Sequence, residues 1–325
     1  MKILVVGAGA VGQVYAWHLA QAGHQVSFFI KAKYAEALRP GTVLHRLGRL
    51  GTRQQAFTGY GLVSDPEAVA AEPWDQVWLT LASDALRGEL AGQVLDAVGK
   101  ATVVCLQPDL EDAAHVRRHV PPSQVVQGLI TFISYQSPLP GKTGPEGIAY
   151  YLPPLAPGLF AGDSPRVRAV VQALKAGGLA AKEVPDFAQA AAGAPAVLQP
   201  LIAALELNDW RLGELVRGPA LTLGLAAARE ALAVAESEAG ADTRLLKPLL
   251  RPLAWRLILP LSRVALPLDL ETYLHYHFAK VGVQTRLMLD SYIRLGQRHG
   301  LATEALQRLR SRLPEEAIGV LPATA

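Results

Sequence analysis

Three glycines near the start of the chain have the spacing of a phosphate-binding loop. Gly7, Gly9 and Gly12 form the pattern G-x-G-x-x-G, directly after the apolar run Ile3–Val6 and at the start of the helical pattern Val11–Ala22. In such a loop the first glycine allows a tight turn, the second lets a diphosphate approach the backbone, and the third lets helix and strand pack closely. The helix N-terminus then offers N–H groups and a partial positive charge to the phosphates. This context predicts a dinucleotide site rather than a purely structural turn. The expected backbone contacts are Gly7, Ala8, Gly9, Ala10, Val11 and Gly12.

The residues after the second predicted strand indicate which dinucleotide is preferred. A site that prefers NAD usually has an acid there, which binds the ribose hydroxyls. Here the strand Val26–Ile30 is followed by Lys31, and the first acid is Glu36. A cation at Lys31 would neutralise a 2′-phosphate. The sequence therefore predicts NADP(H) in preference to NAD(H), against the simpler alternative that Lys31 and Lys33 are ordinary surface lysines.

Four segments together carry a resemblance to a known family. They are the opening KILVVGAGAVGQVYAWHLAQAGHQV, the basic residue Lys31, the run Val104-Cys105-Leu106-Gln107, and the late segment YIRLGQRHGLATEAL. In these the chain resembles the ketopantoate reductase (2-dehydropantoate 2-reductase) family over nearly its whole length. The resemblance implies a Rossmann domain, a helical substrate domain, a cleft between them, and NADPH-dependent reduction of a 2-keto acid. It also implies cofactor contacts at Ala82, after the fourth strand, and at Gln107.

The same resemblance marks the positions where the family's catalytic side chains are replaced. In that family a lysine protonates the keto oxygen, while a glutamate on the last long helix and an asparagine after the fifth strand hold substrate and lysine. The residues at these positions are Ala191, Gln284 and Pro108, and two further asparagines are replaced by Pro195 and Gln199. A developing alkoxide needs a positioned cation or acid. The resemblance thus implies a diverged member that lacks the usual catalytic residues and acts on a substrate other than ketopantoate.

One segment of the helical half is dense in groups that could replace the lost proton donor. It runs from Tyr273 to Lys280 and includes His275 and His277. If it is helical, His277 and Lys280 share a face at i, i+3, and Gln284 continues that face. A desolvated Lys280 or His277 could donate a proton, so the predicted catalytic residues are His277, Lys280 and Gln284. The alternative is that the histidines pack or cap helix ends and Lys280 is solvated. Metal binding by His275 and His277 is disfavoured, since their spacing does not suit a helix and no neighbouring carboxylate supplies a third ligand.

The elements that must position these residues alternate between strand and helix patterns, which predicts βαβ units and a mostly parallel sheet. Further predicted strands are Gln76–Leu81, Thr102–Leu106, Val125–Ser134 and Gly147–Leu152. Predicted helices are Asp84–Val98, Leu110–Val120, one starting at Ser64-Asp65-Pro66-Glu67 and one starting at Asp163-Ser164-Pro165. From about Asp186 onward the strand patterns vanish. The predicted fold class is α/β, an N-terminal Rossmann-type doubly wound sheet plus a C-terminal all-helical domain. Residues 1–184 would bind the dinucleotide, and 185–325 would serve for substrate and dimerisation.

Composition excludes several classes of protein. The chain has 325 residues, 50% hydrophobic and 18% charged, which excludes a disordered chain and suits two domains. A net charge of +3 is too balanced to indicate a nucleic-acid partner. The single cysteine, Cys105, excludes a disulfide scaffold or a cysteine-rich zinc site and favours a reducing compartment. Without a convincing signal peptide or membrane span, the chain is expected to be cytoplasmic, with no membrane partner.

A basic segment leaves two interpretations open. Between Arg244 and Arg263 the chain has five basic residues and no acid, with leucines and prolines among them. A membrane surface or an anionic ligand is one interpretation. The simpler one, which the sequence alone favours, is the solvated face of a short, proline-broken helical segment.

The function expected from the sequence is NADP(H)-dependent reduction of a keto-acid-like carbonyl or an imine, both small-molecule substrates. The alternative is a non-catalytic NADP(H)-binding sensor or scaffold. Reduction of ketopantoate itself through a rearranged site is a third, weaker interpretation. The apolar helices of the second domain are also compatible with a homodimer.

Overall fold

The computed structural model describes residues 1–314, except for the side chains of Arg263 and Val264. The chain divides into two compact units, Met1–Phe187 and a second that begins at Ala188. The sequence predicted this change near residue 184. A parallel sheet of the Rossmann type followed by helices confirms the predicted fold class. Among the described residues, no helix combines the length and apolar character needed to cross a bilayer.

The first unit contains all the strands of the described chain. They are β1 (Lys2–Val6), β2 (Gln25–Phe29), β3 (Thr42–Gly48), β4 (Gly51–Phe57), β5 (Gly61–Val63), β6 (Gln76–Leu79), β7 (Thr102–Cys105), β8 (Val125–Leu129), β9 (Ile133–Ser137), β10 (Gly147–Tyr151), β11 (Gly158–Gly162) and β12 (Ala181–Glu183). Its α-helices are α1 (Ala10–Gln21), α2 (Ala35–Leu38), α3 (Pro66–Ala70), α4 (Ser83–Leu86), α5 (Glu89–Ala97), α6 (Asp112–Val116) and α7 (Ser164–Ala176), with 3₁₀ turns at Ala32–Tyr34 and Pro122–Gln124.

The main sheet has eight strands in the order β12-β11-β8-β7-β6-β1-β2-β5, parallel except where β11 meets β8. Side chains of β1 alternate between two cores, as expected of a strand buried on both faces. Ile3 and Val5 face the core that holds Tyr15 of α1, and Leu4 and Val6 face the opposite core. Because β1 lies between β6 and β2, the loops after these three strands meet at one edge of the sheet.

A second sheet of four strands, in the order β4-β3-β10-β9, was not foreseen as a sheet. Its hairpin of β3 and β4 pairs Thr42 with Phe57 and Gly48 with Gly51. The predicted strand Val125–Ser134 is two strands here, because β8 pairs with β7 in the main sheet while β9 pairs with β10 in the second.

The second unit is helical throughout its described part. With α8 (Phe187–Ala191) at the division, its helices are α9 (Gly193–Glu206), α10 (Leu212–Arg217), α11 (Pro219–Ala239), α12 (Pro252–Ala265), α13 (Leu270–Lys280), α14 (Gly282–Arg298) and α15 (Glu304–Arg312), with a 3₁₀ turn at Lys247–Leu250. Helix α11 packs against α9, α14 and α15. At Gly224 a Cβ would lie 2.7 Å from the Cβ of Ala204, so this glycine lets α11 and α9 approach closely.

Two predicted helices are interrupted. The predicted helix Asp84–Val98 is two helices, α4 and α5, because Gly88 has an extended backbone and begins the second helix. The helix expected to run through Lys280 to Gln284 also ends and restarts, at Val281. The expectation that Lys280 and Gln284 continue one helical face is therefore wrong.

Candidate functional site

The glycine loop joins the central strand to the first helix. Strand β1 ends at Val6, and Gly7 turns the chain with a φ of 103°, a conformation that favours glycine. The N–H of Gly7 donates to the carbonyl oxygen of Phe29, at the end of β2, over 3.0 Å. Gly9 is the N-cap of α1, with φ −69° and ψ 180°, and the helix begins at Ala10. The start of α1 therefore lies directly at the carboxyl edge of β1.

The three glycines of the loop have different surroundings. A Cβ on Gly12 would lie 2.2 Å from the carbonyl oxygen of Gly7, so only glycine lets α1 pack against the turn. A Cβ on Gly9 would meet no atom within 4 Å. Gly9 therefore leaves open space beside the helix N-terminus, which is what a diphosphate approaching the backbone requires.

The first turn of α1 offers hydrogen-bond donors at that open space. In an α-helix the first N–H groups have no intrahelical acceptor, and here these belong to Ala10, Val11 and Gly12. The helix dipole adds a partial positive charge at the same end. The buried amide of Gln13 donates from Nε2 to the carbonyl oxygen of Ala8 over 2.7 Å, while its Oε1 has no partner among the described residues. The Gln13 side chain thus holds the loop from within, and the first N–H groups of α1 have no acceptor within the helix.

Thr80, which follows β6, holds the loop from the other side. Its hydroxyl lies 2.9 Å from the carbonyl oxygens of both Val6 and Gly7. A Cβ on Gly12 would also come within 2.7 Å of this hydroxyl oxygen. Sequence reasoning missed Thr80; the signal that could have found it is a polar residue directly after the apolar run Val77–Leu79 of the central strand β6.

Lys31 lies in the position that the sequence predicted, just after β2. It is exposed, and no carboxylate among the described residues pairs with it. The neighbouring Lys33 lies over the ring of Tyr34, 5.0 Å from its centroid. The Lys31 ammonium is therefore available to an anionic group, whereas Lys33 has a partner of its own.

Ala82 and Gln107, the two other predicted cofactor contacts, lie in the loops after β6 and β7. Ala82 is the N-cap of α4. The buried amide of Gln107 donates from Nε2 to the carbonyl oxygens of Leu79 and Leu81, at 3.0 and 2.8 Å, and its Oε1 accepts from the N–H of Leu106. Because both donors of this amide are used, Gln107 fixes the neighbouring loop rather than presenting its side chain to a ligand.

A buried polar cluster that the sequence analysis missed ties the same two loops together. The Ser83 hydroxyl donates to Asp112 over 2.7 Å, and the Arg87 guanidinium pairs with both Asp112 and Asp109. Burial raises the pKa of Asp112, and the hydrogen bonds from Ser83 and the charge of Arg87 oppose that rise. Contacts between residues so far apart in sequence have no local pattern, which is why the cluster was not predicted.

His277 does not fit the role of a charged proton donor at neutral pH. Its ring stacks on Tyr273, with centroids 5.4 Å apart, and meets Phe278 edge-on. Burial, followed by the charge of Lys280, lowers the pKa of His277 to about 4. The imidazole is therefore neutral at pH 7. Among residues 1–314, no group of three histidine, cysteine or acidic side chains is placed to hold a metal ion.

Lys280 and Gln284 lie on different helices, on either side of the break at Val281. Lys280 is exposed rather than desolvated, and its ammonium donates to the hydroxyl of Tyr276. The Lys280 side chain is therefore solvated, which is the alternative that the sequence left open. Its hydrogen bond to the Tyr276 phenol is the contact of this side chain that could take part in proton transfer.

Two of the positions that the resemblance aligned with functional residues of the family, Ala191 and Gln199, are buried. Ala191 ends α8 and is buried, and the buried Gln199 has a side-chain oxygen without a partner among the described residues. Near Gln284, Arg286 is buried and pairs with Glu206 of α9 over 2.6 Å. Arg286 thus serves the packing of α14 on α9.

The parallel sheet and the glycine loop at the start of α1 are those of a Rossmann-type domain. Residues 3–144 match the family model described as "Ketopantoate reductase PanE/ApbA". A comparison with curated proteins gave no match.

Solved structures resemble the chain over almost its whole length. A PanE/ApbA family ketopantoate reductase from Ralstonia eutropha JMP134 is 21% identical, with 96% of each chain covered and a TM-score of 0.71. A D-mandelate dehydrogenase determined with NADH and anilino(oxo)acetate is 18% identical, with 96% of each chain covered and a TM-score of 0.71. A 2-dehydropantoate 2-reductase from Geobacter metallireducens GS-15 is 16% identical, with 96% of this chain and 98% of that chain covered and a TM-score of 0.69. At these identities the likeness shows the fold.

Proposed function

We propose that the chain is an NADP(H)-dependent oxidoreductase of the ketopantoate reductase type, which reduces a small keto-acid-like carbonyl or imine substrate other than ketopantoate. The observation that carries the proposal is the contrast within the glycine loop. A Cβ on Gly12 would clash with the carbonyl oxygen of Gly7, whereas a Cβ on Gly9 would lie in open space at the first turn of α1. The matched family segment supports the reaction class, and the relative determined with NADH supports a nicotinamide dinucleotide.

The cofactor fits the residues present. The N–H groups of Ala10, Val11 and Gly12 would bind the diphosphate, and Lys31 would bind the 2′-phosphate that distinguishes NADPH from NADH. The loop after β6, which includes Ala82, would form the next part of the site, held in place by Gln107. When bound, NADPH supplies the hydride, and the protein supplies position and charge.

The proton that completes a carbonyl reduction must come from an acid near the substrate. We propose Lys280 for this role, since its ammonium and the Tyr276 hydroxyl form a hydrogen-bonded pair that can hold and pass on a proton. His277, neutral at pH 7, would orient the substrate by donating an N–H hydrogen bond, and the Gln284 amide would bind a polar substrate group. In this proposal Lys280, His277 and Gln284 take over the roles of the family's lysine and glutamate. The resemblance aligns that lysine with Ala191 and that glutamate with Gln284.

A second candidate function rests on the same replacements. The buried Ala191 carries no proton to donate, and Lys280 is exposed to water. A chain that keeps the glycine loop but lacks a working proton donor would bind NADP(H) without turnover, as a sensor or scaffold.

Calorimetric titration with NADPH and NADH tests the cofactor part of the proposal. We expect NADPH to bind more tightly, and we expect Lys31→Ala to weaken NADPH binding about tenfold while leaving NADH binding unchanged, because one charge-assisted contact is lost. Lys33→Ala is the matched control and should bind NADPH as the wild type does. Equal binding of both dinucleotides by the wild type would refute the role of Lys31.

Turnover separates the two candidate functions. Loss of NADPH absorbance is followed across a panel of keto acids, aldehydes and imines that includes ketopantoate. Turnover of a substrate other than ketopantoate supports the reductase. Tight NADPH binding without any turnover supports the sensor or scaffold, and turnover of ketopantoate alone contradicts the proposed substrate class.

A further inference from the structure

Helix α12 presents a stripe of leucines to solvent. Leu253, Leu257 and Leu261 recur every four residues and therefore lie on one face of the helix. Their exposed fractions are 63, 66 and 66%. Leu245, shortly before the helix, is 91% exposed as well. A row of exposed leucines on one helix is uncommon on a protein surface and marks a site of contact.

The opposite face of α12 is anchored within the second unit. Trp255 is half-buried, and its indole N–H donates to the carbonyl oxygen of Leu249 over 2.6 Å. Leu259 on the same side is also half-buried. The helix is thus fixed on one side, while its leucine stripe stays largely exposed.

Cations surround the leucine stripe. Arg251 and Arg256 are exposed beside it, and the segment from Arg244 to Ser262 has no acidic residue. Next to the helix, Arg229, Lys247 and Arg251 line one open cavity, together with Glu236, which pairs with Lys247 over 3.3 Å. The Arg229 guanidinium donates to the carbonyl oxygen of Leu250 over 2.6 Å, which fixes it at the cavity wall.

We propose that α12 and the adjoining cavity dock the protein on an anionic membrane surface. The leucines would enter the boundary between headgroups and acyl chains, and the arginines would meet lipid phosphates. With 14 residues, α12 is too short to span a bilayer and would lie in the plane of the interface. A second copy of the chain fits less well, because pairing α12 with itself would bring Arg251 and Arg256 of both copies together. This proposal replaces the expectation of no membrane partner, and it goes beyond the proposed reductase activity without depending on it.

Cosedimentation of the full chain with lipid vesicles tests the proposal. We expect binding to phosphatidylcholine vesicles that contain phosphatidylglycerol, little binding to phosphatidylcholine alone, and weaker binding as salt rises. Leu257→Gln should weaken binding about tenfold, because one buried leucine is lost from the interface. Leu50→Gln, which changes a still more exposed leucine in the β3–β4 turn, should leave binding unchanged.

A second pair of variants tests how much positive charge contributes to vesicle binding. Arg256→Glu should abolish the preference for anionic vesicles, whereas Arg308→Glu, at an exposed position of α15, should not. Circular dichroism confirms that each variant is folded. The proposal is overturned if the wild type binds neither kind of vesicle, if Leu257→Gln binds as the wild type does, or if sedimentation shows a dimer that Leu257→Gln dissociates without any binding to vesicles.

Discussion

Adding one methyl group should strongly destabilise the protein at Gly12 and leave its stability nearly unchanged at Gly9. At Gly12 the new Cβ would lie 2.2 Å from the backbone oxygen of Gly7, roughly 1 Å short of an ordinary non-bonded contact. Since overpacking commonly costs about 1–3 kcal/mol and the clash here is with backbone, we expect Gly12→Ala to lose at least about 3 kcal/mol. That corresponds to a Tm lower by about 10 °C for a unit of this size.

At Gly9 the same substitution meets no atom within 4 Å, and the backbone angles of φ −69° and ψ 180° are open to alanine. Gly9→Ala should therefore change the free energy of unfolding by less than about 0.5 kcal/mol. Because the methyl group occupies the path of the diphosphate, NADPH binding should nevertheless weaken by at least about tenfold. Thermal denaturation and calorimetric titration of both variants measure the two effects. Wild-type NADPH affinity in Gly9→Ala, or wild-type stability in Gly12→Ala, would refute the reasoning.

Three further predictions concern stability and reactivity. Arg286→Met should lower the free energy of urea-induced unfolding by about 3 kcal/mol, because the largely buried carboxylate of Glu206 is left unpaired; an unchanged midpoint would contradict the role of this pair. The pKa of His277 falls from 6.5 to about 4 on folding, so the stability that the neutral ring contributes is present above pH 6.5 and is lost as the pH falls towards 4. Relative to His277→Gln, the free energy of unfolding of the wild type should fall by about 3 kcal/mol over that window. Parallel profiles of unfolding free energy against pH for the two proteins would disprove this. Burial raises the pKa of the Cys105 thiol to about 12, so it should react with a disulfide reagent only after unfolding, whereas rapid labelling of the native protein would show that it is accessible.

The elements around the glycine loop were predictable because their signals are local. The apolar run of β1 and the glycine pattern predicted the strand, the turn and α1 to within a residue or so of their observed bounds. At α3 the capping sequence was correct, since the carboxylate of Asp65 accepts from the N–H of Glu67. The hairpin of β3 and β4 was missed because β4, with the sequence GTRQQAF, is polar and largely exposed.

The parts of the site that sequence reasoning missed depend on contacts between distant residues. Thr80 reaches the carbonyl oxygens of β1, and Arg87 reaches the carboxylates of Asp109 and Asp112. Only the sheet order brings these residues together, so their spacing along the chain does not predict the contacts. The break at Val281 was missed for a different reason, since apolar and polar residues continue across it with helical spacing. That break places Lys280 and Gln284 on separate helices.

The central claim is that the first turn of α1 binds the diphosphate of a nicotinamide dinucleotide. A crystal structure of the protein grown with NADPH tests it most directly, through the distances from the diphosphate oxygens to the backbone nitrogens of Ala10, Val11 and Gly12. We predict hydrogen-bond distances to these nitrogens, with the 2′-phosphate beside Lys31. A vacant loop in crystals grown with saturating NADPH, or a dinucleotide bound elsewhere on the chain, would contradict the claim.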